Sequence, residues 1–131
     1  MRSAIDNPAR RVAVIYSRVA TNDGENSARR LREQESRCRD FANRNGYSVA
    51  GVYVDHGVSG AKIERSGINE MLSFLRTKAS GSTIVLIDEW SRLARGFDVH
   101  LQIQNQLRHA GGQLKIASDF SSRFNMGGDD E

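Results

Sequence analysis

The chain alternates between short apolar runs and longer stretches in which apolar residues recur every three or four positions. Val12–Thr21 (VAVIYSRVAT) opens with four apolar residues running into Tyr16. A continuous run of this length, bounded by polar residues, predicts a strand buried on both faces. Leu31, Gln34, Cys38, Phe41, Ala42 and Asn45 then fall at helical spacing, with Asn26 or Ser27 placed to cap the start and Gly46 the end. Ser48–Asp55 alternates through Val49, Val52 and Val54 and predicts a second strand. A long glycine-containing loop follows, HGVSGAKIERSG, of a length unusual between compact elements. Ile68, Met71, Leu72 and Leu75 predict a second helix ended by Ser80–Ser82, and Thr83–Asp88 a third buried strand. From WSRLARG the pattern leads into a third helix with the stripe Val99, Ile103, Leu107 and Ala110. Gly111 and Gly112 break that helix, and Gln113–Ala117 predicts a fourth strand.

Strand–helix alternation predicts an α/β fold: three layers, with a mainly parallel sheet of four to five strands flanked by helices. The domain spans 11–118, preceded by a flexible lead-in over 1–10 and followed by a polar, glycine-rich tail over 119–131. At 131 residues the chain can bury one core. No apolar run reaches membrane-spanning length and the N-terminus is too polar for a signal peptide, which together predict a cytoplasmic protein. The single cysteine, Cys38, lies on the apolar stripe of the first helix and argues against disulfides or a cysteine metal site.

The net charge of +3 is modest, but the only lysines are Lys62, Lys78 and Lys115, so the basic residues are nearly all arginine. Arginine presents a planar fork that grips phosphate or carboxylate at two points. Its placement matters more than its number. In a parallel sheet, ligands sit beyond the carboxyl ends of the strands. The first strand delivers Arg18 there; the loop after the second delivers Asp55, Ser59 and Arg65; the loop after the third delivers Ser91, Arg92 and Arg95. Strand alternation projects Arg18 with Ala20, and Ser17 with Val19. If WSRLAR begins a helix, Arg92 and Arg95 share one face near its N-terminus. Arg30, Arg32, Arg37 and Arg39 turn away from the apolar stripe of the first helix. His56, His100 and His109 have no metal-ligand spacing and read as surface positions, and Trp90 reads as packing against the sheet end.

The runs IYSRVAT, GYSVAGVYVDHGVSGAKIERSGI and IDEWSRLARG resemble the catalytic domain of the serine recombinases, the resolvase/invertase family. Its pattern is Y-x-R-V-S, a helix carrying glutamine, an aspartate followed by S-G and an arginine, then D/S-R-L-x-R. The match runs from Val12 to about Ala117, and three motifs in order make it specific. The resemblance implies that Arg18, Arg65, Arg92 and Arg95 hold a DNA phosphate, that Gln34 and Asp55 line the site, and that Ser59 sits in a mobile loop. It also implies cleavage through a 5′-phosphoserine link, strand exchange within a tetramer, and no metal or other cofactor.

The chain departs from that pattern at the nucleophile position, where it has Ala20, and at Ser91, where many members carry aspartate. Without a hydroxyl at residue 20 the chain is expected not to cleave DNA, and Ser17 and Thr21 are poorly aimed to substitute. The intact arginine set argues for a single replacement rather than general decay. The chain also stops at about the start of the long helix by which members dimerise and touch DNA, so it reads as a truncated catalytic domain with weak affinity of its own. Two other readings use the same residues. Asp55, Asp88 and Glu89 at adjacent strand ends suit a magnesium-dependent phosphodiesterase, and the arginine edge suits a non-catalytic module docking an acidic protein.

Overall fold

A computed structural model describes residues 11–21, 23–57, 65–78 and 82–118. The elements are β1 (Arg11–Val19), α1 (Glu25–Asn45), β2 (Tyr47–His56), α2 (Ser66–Arg76), β3 (Thr83–Ile87), α3 (Trp90–Leu93), α4 (Phe97–His109) and β4 (Gly112–Ile116). The strands form one parallel sheet in the order β2-β1-β3-β4. The expected lead-in, tail and most of the long loop, including Ser59, lie outside the described residues.

β1 is central and buried from Ala13 through Val19, as its unbroken apolar run predicts. Alternation divides its side chains between two cores. Ala13 and Ile15 pack with Ile84 and Leu86 beneath Cys38, Phe41 and Ala42 of α1. Val14 and Tyr16 pack on the other face with Val85, Ile87 and the apolar stripes of α2 and α4. The result is three layers, α1 over the sheet and α2, α3 and α4 beneath it.

β2 departs from simple alternation. Ala13 pairs with Val49 but Val14 pairs with Gly51, so Ala50 is an extra residue, a bulge. Its effect is a change of face. Val49 and Val52 both lie against the α1 core, although an odd number of steps separates them, while Tyr53 faces the opposite core. Beyond the bulge, Asp55 follows Tyr53 onto the α2 side.

Three helix boundaries differ from expectation. α1 begins at Glu25 with Gly24 in the cap position, and Ser27 lies inside the first turn, where its buried hydroxyl accepts the Asp23 N–H. Gly46 ends α1 in the left-handed conformation, as predicted. α2 stops at Arg76, with Thr77 as its C-cap, before the serine–glycine stretch. WSRLARG does not run into α4. It forms a single turn, then Ala94 is extended and Gly96 has φ 96, so the chain leaves helical geometry between Leu93 and Phe97.

α2 is pressed hard against β2. A Cβ on Gly67 would lie 2.6 Å from the Val54 carbonyl oxygen and 2.8 Å from Asp55 Oδ2. Gly67→Ala, favourable by helix propensity, is therefore expected to destabilise the domain by about 1–3 kcal/mol, read as a lower urea midpoint.

Burial raises the Cys38 thiol from its ordinary 9.0 to about 12. Below pH 9 both folded and unfolded chains hold the proton, so nothing is lost. Above it the unfolded chain ionises first, and stability falls by up to about 1.4 kcal/mol per pH unit. Tyr16, raised likewise by burial, adds to the loss above its own ordinary 10.0. The urea midpoint is expected to drop as pH rises from about 8.5 to 10.5, with a shallower drop for Cys38→Ala.

Candidate active site

From β1 the chain moves to one neighbour, β2, and then crosses to the other, β3. The gap between the carboxyl ends of β1 and β3 is the switch point at which such sheets bind ligands. β1 outlasts β3 there: their pairing ends at Ile15–Leu86, while β1 continues beside β2 to Val19. The backbone groups left unpaired at Arg18 go to Gln34, which is fully buried on α1. The Arg18 N–H donates to Gln34 Oε1 and Gln34 Nε2 donates to the Arg18 carbonyl, both at 3.0 Å. A side-chain amide thus replaces the missing strand and locks the backbone that carries the first arginine.

The Arg18 side chain lies across the end of α3. Nε donates to the Arg92 carbonyl at 2.8 Å and Nη2 to the Ser91 carbonyl at 2.5 Å. Its pKa is lowered first by burial, then by the charge of Arg65 and, more weakly, of Arg92 and Arg95. Four arginines from three strand ends therefore share one electrostatic field.

Arg65 precedes α2 and is itself buried. Its Nη1 donates to the Tyr16 hydroxyl at 3.3 Å, and that hydroxyl donates to Asp55 Oδ2 at 2.7 Å. Asp55 also accepts the backbone N–H groups of Gly67 at 2.8 Å and Ile68 at 3.2 Å. It is an N-cap supplied by a neighbouring strand instead of the preceding residue. Burial, followed by the Asp55 hydrogen bond, pushes the Tyr16 phenol well above its ordinary range. With its oxygens occupied and only 2% exposed, Asp55 supports Arg65 and α2 from beneath rather than facing a ligand.

At the end of β3, Asp88 is buried between two arginines. Arg92 Nε donates to Oδ1 at 2.9 Å; Arg37 Nε and Nη2 donate to Oδ2 at 3.1 and 2.8 Å. Arg92 also pairs with the exposed Glu89 at 2.7 Å. Arg95 does not share a helical face with Arg92, because it lies in the break between α3 and α4. It is exposed and makes no hydrogen bond or ion pair among the described residues. The Ser91 side chain is exposed, and its carbonyl is the group that holds Arg18.

Ala20 stands exposed one residue past the end of β1, on a bend, so strand alternation ends at Val19 and does not extend to it. Two hydroxyls lie close in sequence. Ser17 is 1% exposed and its Oγ has no hydrogen-bond partner. Thr21 is exposed, and its Oγ1 accepts from Arg30 at 3.1 Å. Among the described residues no group of three His, Cys, Asp or Glu is placed to hold a metal ion. Of the three carboxylates of the metal-dependent reading, Asp55 and Asp88 serve separate sets of protein donors, and Glu89 pairs with Arg92.

Sequence reasoning located the arginines and missed three partners. Tyr16 reads as the end of an apolar run, yet it shares a face with Arg18 two residues on. Arg37 reads as a solvent-facing helix residue, yet it lies three positions after Gln34 and so on the same side of α1. His100, taken for a surface residue, sits on α4 against Trp90, with ring centroids 4.5 Å apart. His56 and His109 are exposed as expected.

The family profile described as "Resolvase, N terminal domain" matches residues 13–129. Among solved structures, a resolvase family site-specific recombinase from Streptococcus pneumoniae is 28% identical, with a TM-score of 0.69 over 84% of this chain and 74% of that one. The N-terminal catalytic domain of TP901-1 integrase is 26% identical, with a TM-score of 0.71 over 82% of this chain and 78% of that one. The C-terminal catalytic domain of ISC1926 TnpA, an IS607-like serine recombinase, shares the fold at 23% identity, with a TM-score of 0.67 over 88% of this chain and 76% of that one. No curated protein sequence matches the chain. With the arginine-lined edge of its parallel sheet, the chain belongs to the resolvase family and is a serine recombinase catalytic domain, the part of a site-specific recombinase that acts on DNA.

Proposed function

We propose that this sheet edge holds the scissile phosphate of DNA and that the chain binds it without cutting. One observation carries the reading: the buried Arg18 lies on the Ser91 and Arg92 carbonyls, across the turn that leads to Arg95, while the buried Arg65 bonds Tyr16 two residues before Arg18, so the four cations gather at one sheet edge. Their forks would hydrogen-bond the non-bridging oxygens and stabilise charge gathering there during displacement at phosphorus. Gln34 holds the Arg18 backbone and Asp55 holds Arg65 through Tyr16, so both act by positioning. Ser59 falls between Asp55 and Arg65 in sequence. Ser91 acts through its carbonyl, which leaves Glu89 as the exposed carboxylate beside Arg92.

In an active member the serine hydroxyl gives up its proton as its oxygen bonds to phosphorus, the bond to the 3′ oxygen breaks, and that oxygen leaves as a hydroxyl after taking a proton. The reverse attack reseals the strand. Residue 20 stands where the attacking hydroxyl belongs, and alanine has none. Ser17 is buried beneath α1 and Thr21 is held by Arg30. A displacement of about 1 Å already costs roughly a hundredfold in such a step. Exchange between two duplexes needs several catalytic copies, so the complete recombinase is expected to work as a dimer that pairs into a tetramer on intracellular DNA. The non-catalytic docking module remains the second reading, resting on the exposed Arg95.

The test is to fuse the chain, as it stands and as Ala20→Ser, to a DNA-binding module of known target. Each is incubated with paired targets flanking a randomised spacer. Ala20→Ser alone is expected to give protein covalently joined to DNA 5′ ends on a denaturing gel. An adduct from the unsubstituted chain would place the nucleophile elsewhere, and binding without an adduct from either would favour the docking module. For the 131-residue chain alone, Arg95→Ala is expected to weaken duplex binding at low ionic strength. It should also reduce the slope of log affinity against log salt by about one.

A further inference from the structure

Arg37 belongs to none of the motifs, yet it gives two donors to a buried carboxylate at this edge. Asp88 is the only described residue that binds both α1 and α3 by charge: Arg37 takes Oδ2 with two donors, and Arg92 takes Oδ1 with one. The side chain is 2% exposed, so its carboxylate depends on these cations instead of water. Arg92 gives Nε to Asp88 and Nη2 to Glu89, leaving Nη1 without a hydrogen bond among the described residues. Were Arg37 absent, Asp88 Oδ2 would be buried without a partner. Arg92 would then be the one guanidinium able to reach it, facing two carboxylates alone. The cluster would carry a net negative charge where a phosphate must approach.

We infer that Arg37 is a positioning residue for Arg92, acting through the buried Asp88 carboxylate. It fixes the direction of the Arg92 fork and cancels the charge that would oppose a phosphate there. This rests on the reading of the edge as a phosphate site, and it adds to it a residue from the opposite face of the sheet. Geometry favours an indirect role: Arg37 turns both Nε and Nη2 onto the buried Asp88 carboxylate, and its pKa is raised chiefly by that hydrogen-bonded carboxylate.

The experiment follows the Arg92 Nε–H resonance by NMR in the 131-residue chain, alongside binding of a labelled DNA duplex at low ionic strength. Circular dichroism confirms that each variant is folded. Arg37→Ala is expected to move the Arg92 resonance and weaken duplex binding by about 3- to 30-fold, within the range of couplings in one charge network. Arg37→Lys should recover part of both. In an Asp88→Asn background, which keeps the shape and removes the charge, Arg37→Ala should have little further effect. An unmoved Arg92 resonance in Arg37→Ala would overturn the inference. So would an undiminished loss of binding in the Asp88→Asn background, which would mean that Arg37 touches DNA itself. If Arg92→Ala leaves duplex affinity unchanged, the phosphate reading fails on its own account. The resonance then still decides whether Arg37 orients Arg92.

Discussion

Arginines gathered at one sheet edge repel each other, and that repulsion is the constraint from which the local structure follows. Two like charges about 6 Å apart oppose one another by roughly 3 kcal/mol at a surface-like dielectric. Each arginine here meets a different answer. Arg18 lies against two carbonyls at the end of α3, Arg65 against a phenol backed by a carboxylate, and Arg92 against two carboxylates. Arg95 is left to solvent. The edge is thus charged but graded, from cations held rigidly inside to one free at the rim. A rigid cation loses little entropy when it meets a phosphate, and a free one can follow the ligand in.

The groups that hold these cations also hold the fold. Asp55 joins β1, β2 and the N-terminus of α2 through four donors, and Gln34 joins α1 to β1 where β3 has stopped. Substitutions at this edge therefore affect stability as well as the proposed phosphate binding. For that reason the inferred role of Arg37 needs a readout at Arg92 itself.

Much of this was legible in the sequence, and the reasons for success and failure are physical. β1, β3 and the helix stripes were plain because burial on one or both faces leaves a period that no tertiary contact has to supply. Arg18, Arg65 and Arg92 could be assigned to one edge because parallel strands deliver their following loops to the same side. The break after Leu93 was hidden because SRLARG has good helix formers, yet Ala94 is extended and Gly96 takes a positive φ. Asp55 looked like a site carboxylate since nothing local shows that α2 will need a cap from β2. Arg37 was passed over because a half-exposed arginine on a helix usually faces water, and its partner lies 51 positions away in sequence. The fold was written in local periodicity; the charge partners depend on long-range contacts.

The bulge at Ala50 has a consequence for how related chains can differ. Side chains on β2 change face with every residue inserted or removed, so the count between Ala50 and Asp55 acts as a phase. A single-residue gap within that interval would turn His56 or Val54 toward Tyr16 and leave α2 without its cap. A gap before the bulge only shortens the start of the strand. When relatives are aligned over β2, gaps between the bulge and the aspartate should therefore occur in pairs or not at all, whereas the loops on either side can vary freely in length.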